Sequence, residues 1–275
     1  MFDTKKFIED CGAVKAKTPL VHNITNYVAM DVAANALLAI GASPLMSFFT
    51  DEMEEIAGIS SALAVNIGCL DKQEIKAMEI AAETMHKFGK PWVIDPVGAG
   101  ASKVRTETAV NLILKYKPTI IRGNASEIAC VAAAVGCKPE DVEEISGRGV
   151  DSTMDTTQAA GSAIALARKT GSVVSVSGPT DFITDGDRIG TISNGSPVMP
   201  KITALGCTST AIHAAFAAVE GDAFRAALNA AALMGVAGEL AEKEDYVKGT
   251  GTFKVALMDE LSSFDAEEYA TIVKE

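Results

Sequence analysis

The 275-residue chain lacks positive charge: 24 Lys and Arg stand against 36 Asp and Glu, a formal net charge of -12. A surface of that sign repels a phosphate backbone, which argues against nucleic acid as a partner. It also means that an anionic substrate must be held by a few local donors, so a basic residue inside an apolar motif, such as Arg122, carries weight. Paired cysteines are missing too. Cys11, Cys69, Cys130, Cys137 and Cys207 are scattered, without a C-x-x-C pair or a histidine at ligand spacing. That argues against a disulfide framework or a zinc site. The N-terminal stretch has no apolar segment before a small-residue cleavage site, and no uncharged run reaches the ~18 residues of a membrane span. A cytoplasmic protein with reduced thiols and no membrane partner is expected. No Pro/Ser-rich linker or shift of composition divides the chain, so residues 1–275 read as a single domain.

What is present is core material: 48% of the residues are hydrophobic and 22% charged, which excludes disorder and fibrous repeats. Short apolar runs alternate with helical patterns, the signal of βαβ units and a mostly parallel sheet. Ala62 to Ile67 reads as a buried strand; Asp71 and Glu74 have capping-box spacing for a helix running to about Lys87, stopped by Gly89. The rhythm continues with a strand at Trp92–Asp95 and a helix from about Arg105 to Tyr116. Next come a strand at Thr119–Arg122, a helix from Ala125 to Val135, a helix from Gln158 to Lys169 and a strand at Ser172–Ser177. Asp181–Thr184 and Arg188–Ile192 flank an Asp-Gly-Asp turn and predict an antiparallel hairpin at a sheet edge. Tyr27 to Ile40 has helical periodicity, Pro44 to Phe48 reads as a strand, and two alanine-rich helices cover about Cys207–Val219 and Asp222–Lys243. His22 is assigned to a polar loop near the N-terminus.

Polar residues follow the strands, where α/β folds bind ligands. Ala204 to Thr210 is a small-residue turn opening a helix. Gly206 permits close approach, and the amides of Cys207, Thr208 and Ser209 are expected to form an anion hole at the positive end of the helix dipole. The alternative is a tight turn whose glycine serves packing alone. Gly98 to Gly100 after Asp95, and Ser177 with Gly178, are further candidate anion turns. Asn124 and Glu127, three apart at a helix start, suit either water-mediated Mg²⁺ binding or simple capping. Cys207 could also be a nucleophile, a thiol at a helix N-terminus being acidified, but of the three histidines only His22 is eligible as its base.

Taken together, Pro19–Asn26, Gly41–Met46, Asn66–Gly68, Asp95–Gly100, Arg122–Glu127 and Gly206–Cys207 closely resemble the hydroxyethylthiazole kinase family of the ribokinase-like superfamily. The resemblance implies a three-layer α/β/α fold with a mostly parallel central sheet and an antiparallel edge hairpin. It implies Mg²⁺-dependent transfer of the ATP γ-phosphoryl group to the primary alcohol of 4-methyl-5-(2-hydroxyethyl)thiazole, in thiamine salvage, by a homotrimer with interfacial active sites. Residue by residue, Asn26 and Met46 match thiazole-pocket positions, with Ala204 beside the substrate hydroxyl. Arg122 and Ser177 match ATP contacts, with Asn124 beside them. Asp95 and Glu127 match acidic positions of the metal and phosphate region, and Gly206 and Cys207 match the catalytic anion hole. The chain departs from the family at Ala204, where glycine is usual, at Leu205, where a small or hydroxyl residue is usual, and at Ser177, where threonine is commoner. A tighter turn at Ala204 is expected. The alternatives are another small-alcohol kinase or an ATP- or ADP-dependent repair dehydratase of the same superfamily, or a nucleotide-binding module without catalysis.

Overall fold

The computed structural model describes residues 2–137 and 154–275. Eight strands form one sheet: β1 (Leu20–Ile24), β2 (Ser43–Met46), β3 (Ala62–Asn66), β4 (Trp92–Asp95), β5 (Ile120–Asn124), β6 (Val173–Ser177), β7 (Asp181–Thr184) and β8 (Ile189–Ile192). Their order is β2-β1-β3-β4-β5-β6-β7-β8. The pairs from β2 to β6 are parallel, and β7 and β8 add an antiparallel hairpin at one edge.

The helices are α1 (Thr4–Lys17), α2 (Met30–Ala39), α3 (Met53–Ile59), α4 (Lys72–Lys87), α5 (Lys103–Tyr116), α6 (Ala125–Ala134), α7 (Met154–Thr170), α8 (Leu205–Ala217), α9 (Ala223–Lys243), α10 (Thr250–Ser263) and α11 (Ala266–Ile272). They cover both faces of the sheet. One core joins the sheet to α1, α2 and α8 to α11; the other joins it to α3 to α7. The strands divide between these cores with the period of two that a pleated strand requires: Ala62 and Ala64 face the first, Leu63 and Val65 the second. Among the described residues, no helix is long and apolar enough to cross a membrane.

The expected βα rhythm and edge hairpin are present, and Asp71 caps α4 by accepting the Glu74 N–H at 2.7 Å. Two segments near the N-terminus differ from expectation. His22 is in no loop: it lies within β1, fully buried, paired between β2 and β3. The polar side chains that disguised this strand find partners inside the fold, Asn23 on the Val21 carbonyl and His22 on that of Ser47. The helix expected from Tyr27 begins only at Met30, because Asn26 first turns the chain by accepting the Ala29 N–H.

Candidate active site

The period of two decides which strand ends meet. Val93 faces the α8 side, so Asp95 does too; Ile120 does, and therefore Arg122; Val173 does, and therefore Ser175 and Ser177. Asn66 follows from Ala62 and Ala64 in the same way. Four adjacent parallel strands thus present polar residues on one face toward their carboxyl ends, and α8 packs over β3, β4 and β5.

The start of α8 is unusual. Ala204 caps α8 with φ 72°, a left-handed conformation that costs a non-glycine residue about 1–2 kcal/mol. Its carbonyl accepts the Thr208 N–H at 2.8 Å, so the helix begins two residues earlier than expected. The amides left without an intrahelical acceptor are those of Leu205, Gly206 and Cys207, not of Cys207, Thr208 and Ser209. Arg122 lies against them. A Cβ at Gly206 would be 2.9 Å from Arg122 Nη1, so glycine here does what the turn reading left open: it admits a guanidinium to the positive end of a helix. Two positive features side by side in a chain of net charge -12 call for an anion.

Beside them runs a buried network. Asn26 Nδ2 donates to Asn66 Oδ1 at 2.9 Å and to Cys207 Sγ at 3.2 Å. Asn66 Nδ2 donates to Asp95 Oδ2 at 2.7 Å, and Thr210 Oγ1, one turn into α8, donates to the same oxygen at 3.1 Å. Burial pushes the Asp95 carboxyl up to about 6, against the pull of Arg122, and Glu127 adds to the rise. Burial and the charge of Asp95 likewise raise the Cys207 thiol. The acidified thiol required of a nucleophile is therefore not what this environment provides. Its expected base also faces elsewhere: the His22 ring bonds the Ser47 carbonyl at 2.9 Å, and burial holds its pKa at about 4.

Asn124 and Glu127 form a complete capping box at α6, Asn124 Oδ1 accepting the Glu127 N–H and Glu127 Oε2 the Asn124 N–H. The cap is thus real, and Glu127 does more: its Oε1 accepts the Gly98 N–H at 2.9 Å, tying α6 to the turn after β4. Ser177 Oγ reaches the Gly123 carbonyl at 3.4 Å. Met46 ends the edge strand β2, opposite Asn23, and Ala204 is half-buried; neither joins the hydrogen-bonded network. Sequence reasoning gave no role to Asn66 or Thr210. The first was signalled by its place two residues beyond Ala64 on a buried strand, the second by one helical turn from Gly206.

The geometry now stands beside known proteins. The solved hydroxyethylthiazole kinase of Pyrococcus horikoshii OT3 superposes with a TM-score of 0.86 at 34% identity, covering 98% of both chains. A ribokinase-like superfamily protein from Enterococcus faecalis shares the fold, with a TM-score of 0.62 at 15% identity over 90% of this chain and 88% of that one. Hydroxyethylthiazole kinase of Brachyspira hyodysenteriae is 48% identical over 262 residues, 95% of each chain. That of Leptospira biflexa is 46% identical over 263 residues, 96% of this chain and 94% of the relative. The model of the hydroxyethylthiazole kinase family matches residues 12–267, and with the ribokinase-like fold in place the chain belongs to that family.

Proposed function

We propose that the protein transfers the γ-phosphoryl group of ATP to the primary alcohol of 4-methyl-5-(2-hydroxyethyl)thiazole, a salvage step toward thiamine. The observation that carries this reading is the Arg122 guanidinium resting on Gly206 at the open N-terminus of α8. Around it, Ser177 and Asn124 stand on the nucleotide side, and Asn26, Met46 and Ala204 on the side of the thiazole, for which a methionine is a polarizable wall. The alcohol oxygen attacks the γ-phosphorus, the bond from that phosphorus to the bridging oxygen of ADP breaks, and the alcohol proton passes to solvent water. Phosphoryl transfer through a loose transition state draws mainly on positioning and charge stabilisation. Arg122 and the amides of Gly206 and Cys207 supply the charge. Cys207, kept a thiol, acts through its backbone and its contact with Asn26.

Mg²⁺ fits the acidic residues. Both hydrogen bonds to Asp95 fall on Oδ2, and each oxygen of Glu127 accepts one backbone N–H, so lone pairs remain on both carboxylates. Mg²⁺ retains several waters and takes few protein ligands, so two carboxylates with open lone pairs suffice. Asp95 and Glu127 are the residues that would hold it, and when bound it would neutralise phosphate oxygens.

The reading extends to a homotrimer with active sites between subunits. It is supported by Tyr27, Val28 and Phe49, large apolar side chains exposed next to Asn26 and close in sequence to Met46, in the manner of surfaces covered by a second chain. Purified protein should release ADP from ATP only when the thiazole alcohol and Mg²⁺ are present, and should sediment as a trimer. ATP binding without turnover would favour the non-catalytic module. Turnover with other alcohols but not with the thiazole would favour a different small-alcohol kinase.

A further inference from the structure

Arg105 stands in the first turn of α5, where the helix dipole disfavours a cation. Its guanidinium turns to backbone carbonyls instead. Nη1 donates to the carbonyls of Ile67 at 2.8 Å and Val97 at 3.0 Å, and Nη2 to that of Gly68 at 2.9 Å. These carbonyls lie in the two connections that leave β3 and β4, immediately after Asn66 and Asp95.

Two of them belong to peptide units whose other end is already placed. A trans peptide points its C=O and N–H in opposite directions. The Ile67–Gly68 unit gives its C=O to Arg105 and its N–H to Asn66 Oδ1 at 2.9 Å. The Val97–Gly98 unit gives its C=O to Arg105 and its N–H to Glu127 Oε1 at 2.9 Å. Each unit is bounded by a glycine, the residue that resists a peptide flip least. Gly98 has φ 72° with Arg105 Cδ 3.2 Å from where its Cβ would be, and a Cβ at Gly68 would be 2.8 Å from both Asn26 Nδ2 and Asn66 Oδ1. If either unit turned over, a carbonyl oxygen would face the oxygen of Asn66 or Glu127, acceptor against acceptor.

We infer that Arg105 is a positioning residue for phosphoryl transfer, clamping the Ile67–Gly68 and Val97–Gly98 peptides so that their N–H groups fix Asn66 and Glu127. Through Asn66 the clamp reaches Asp95 and Asn26; through Glu127 it reaches the start of α6 at Asn124. One planar fork serving three carbonyls suits arginine, and a lysine ammonium lacks its spread.

The inference rests on the kinase reading above, and two readouts keep the two separable. The first is activity of the full chain. Arg105→Ala should lower kcat by about 100-fold, the scale of a misplaced reacting group, and Arg105→Lys should fall between it and the parent. Added guanidinium chloride should restore Arg105→Ala activity where sodium chloride of equal ionic strength does not. The second is amide exchange by NMR, which needs no turnover: the Gly68 and Gly98 amides should exchange faster in both variants while those of the β3 and β4 interiors keep their protection. If Arg105→Ala fails to fold, Arg105→Lys carries both tests. A folded variant with parental kcat, or rescue that sodium chloride matches, overturns the inference. Should the parent protein not phosphorylate the thiazole alcohol, the kinase reading fails, and unchanged exchange at Gly68 and Gly98 would then overturn the clamp independently.

Discussion

Replacing Gly206 with alanine should separate activity from stability, because the nearest atoms in the way of the new methyl belong to a working side chain. The backbone at Gly206 is not left-handed, so alanine meets no backbone penalty there. Its Cβ would be 2.9 Å from Arg122 Nη1 and 3.9 Å from Cζ and Nη2, whereas carbon contacts settle at about 3.5–4.0 Å. The guanidinium, at the end of a flexible stem, has to retreat by roughly 0.5–1 Å. Helix α8 itself gains, since alanine is favoured over glycine by about 1 kcal/mol within a helix. Melting should therefore hold or rise by up to about 2–4 °C.

The cost falls on ATP. Losing the charge-assisted contact outright, as in Arg122→Ala, removes about 1.5–3 kcal/mol; a displaced guanidinium loses part of that, about 1.4 kcal/mol or tenfold in kcat/KM for ATP. Initial rates of ADP release against ATP, at saturating thiazole alcohol, measure it beside a thermal melt. In the Arg122→Ala background the same substitution should cost almost nothing more, since the side chain it displaces is gone. Unchanged ATP kinetics with a raised melting temperature would refute the placement of Arg122, and a full additive loss in the double variant would refute the route through it.

Cys207→Ala keeps the backbone amide and loses only the thiol's contact with Asn26, worth about 0.5–1.5 kcal/mol, so kcat should fall by no more than about tenfold, with no covalent cysteine adduct seen by mass spectrometry of protein held with both substrates; a trapped phosphocysteine would reverse the role given to the thiol. Ala204→Gly relieves about 1–2 kcal/mol of left-handed strain and gives back about 0.4–1 kcal/mol to the freedom of the unfolded chain, so it should raise the melting temperature slightly; a lower one would show the methyl to be a net packing contact. His213 is buried between Ser175 Oγ and the Ser209 carbonyl, its pKa pushed down to about 3. Because the unfolded chain then binds the extra proton, His213 withdraws stability as pH falls below about 6.5, about 2 kcal/mol by pH 5. Asp95 and Asp181, pushed up to about 6, act with the opposite sign over part of that range, so the test is differential. Chemical denaturation of His213→Gln at pH 7 and pH 5 should show a loss smaller than the parent's by that amount, and parallel losses would refute the assignment.

The sheet was legible where hydrophobic period and caps agree, as in Ala62–Asn66 followed by the Asp71 cap, and so was the hairpin around its Asp-Gly-Asp turn. β1 was not, because its polarity is local and its satisfaction is not: the partner of His22 lies 25 residues away. For the same reason spacing alone could find Glu127 as a cap and could not find its second bond, to an amide 29 residues distant. The start of α8 was misjudged by two residues because a left-handed alanine is not something propensity predicts. Yet these misses share a form. Asn66 is a polar residue on a buried strand, Ala204 a non-glycine where φ is positive, and Arg105 a cation at a helix N-terminus. Each breaks a local rule at a cost, and Asn66 and Arg105 are held by contacts made at the ends of β3 and β4. A violated local preference is therefore a signal in itself, since a sequence that folds well keeps such conflicts only where something outside the segment compensates for them. For Asn66 and Arg105 that something is the pair of strand ends that leads to Asp95.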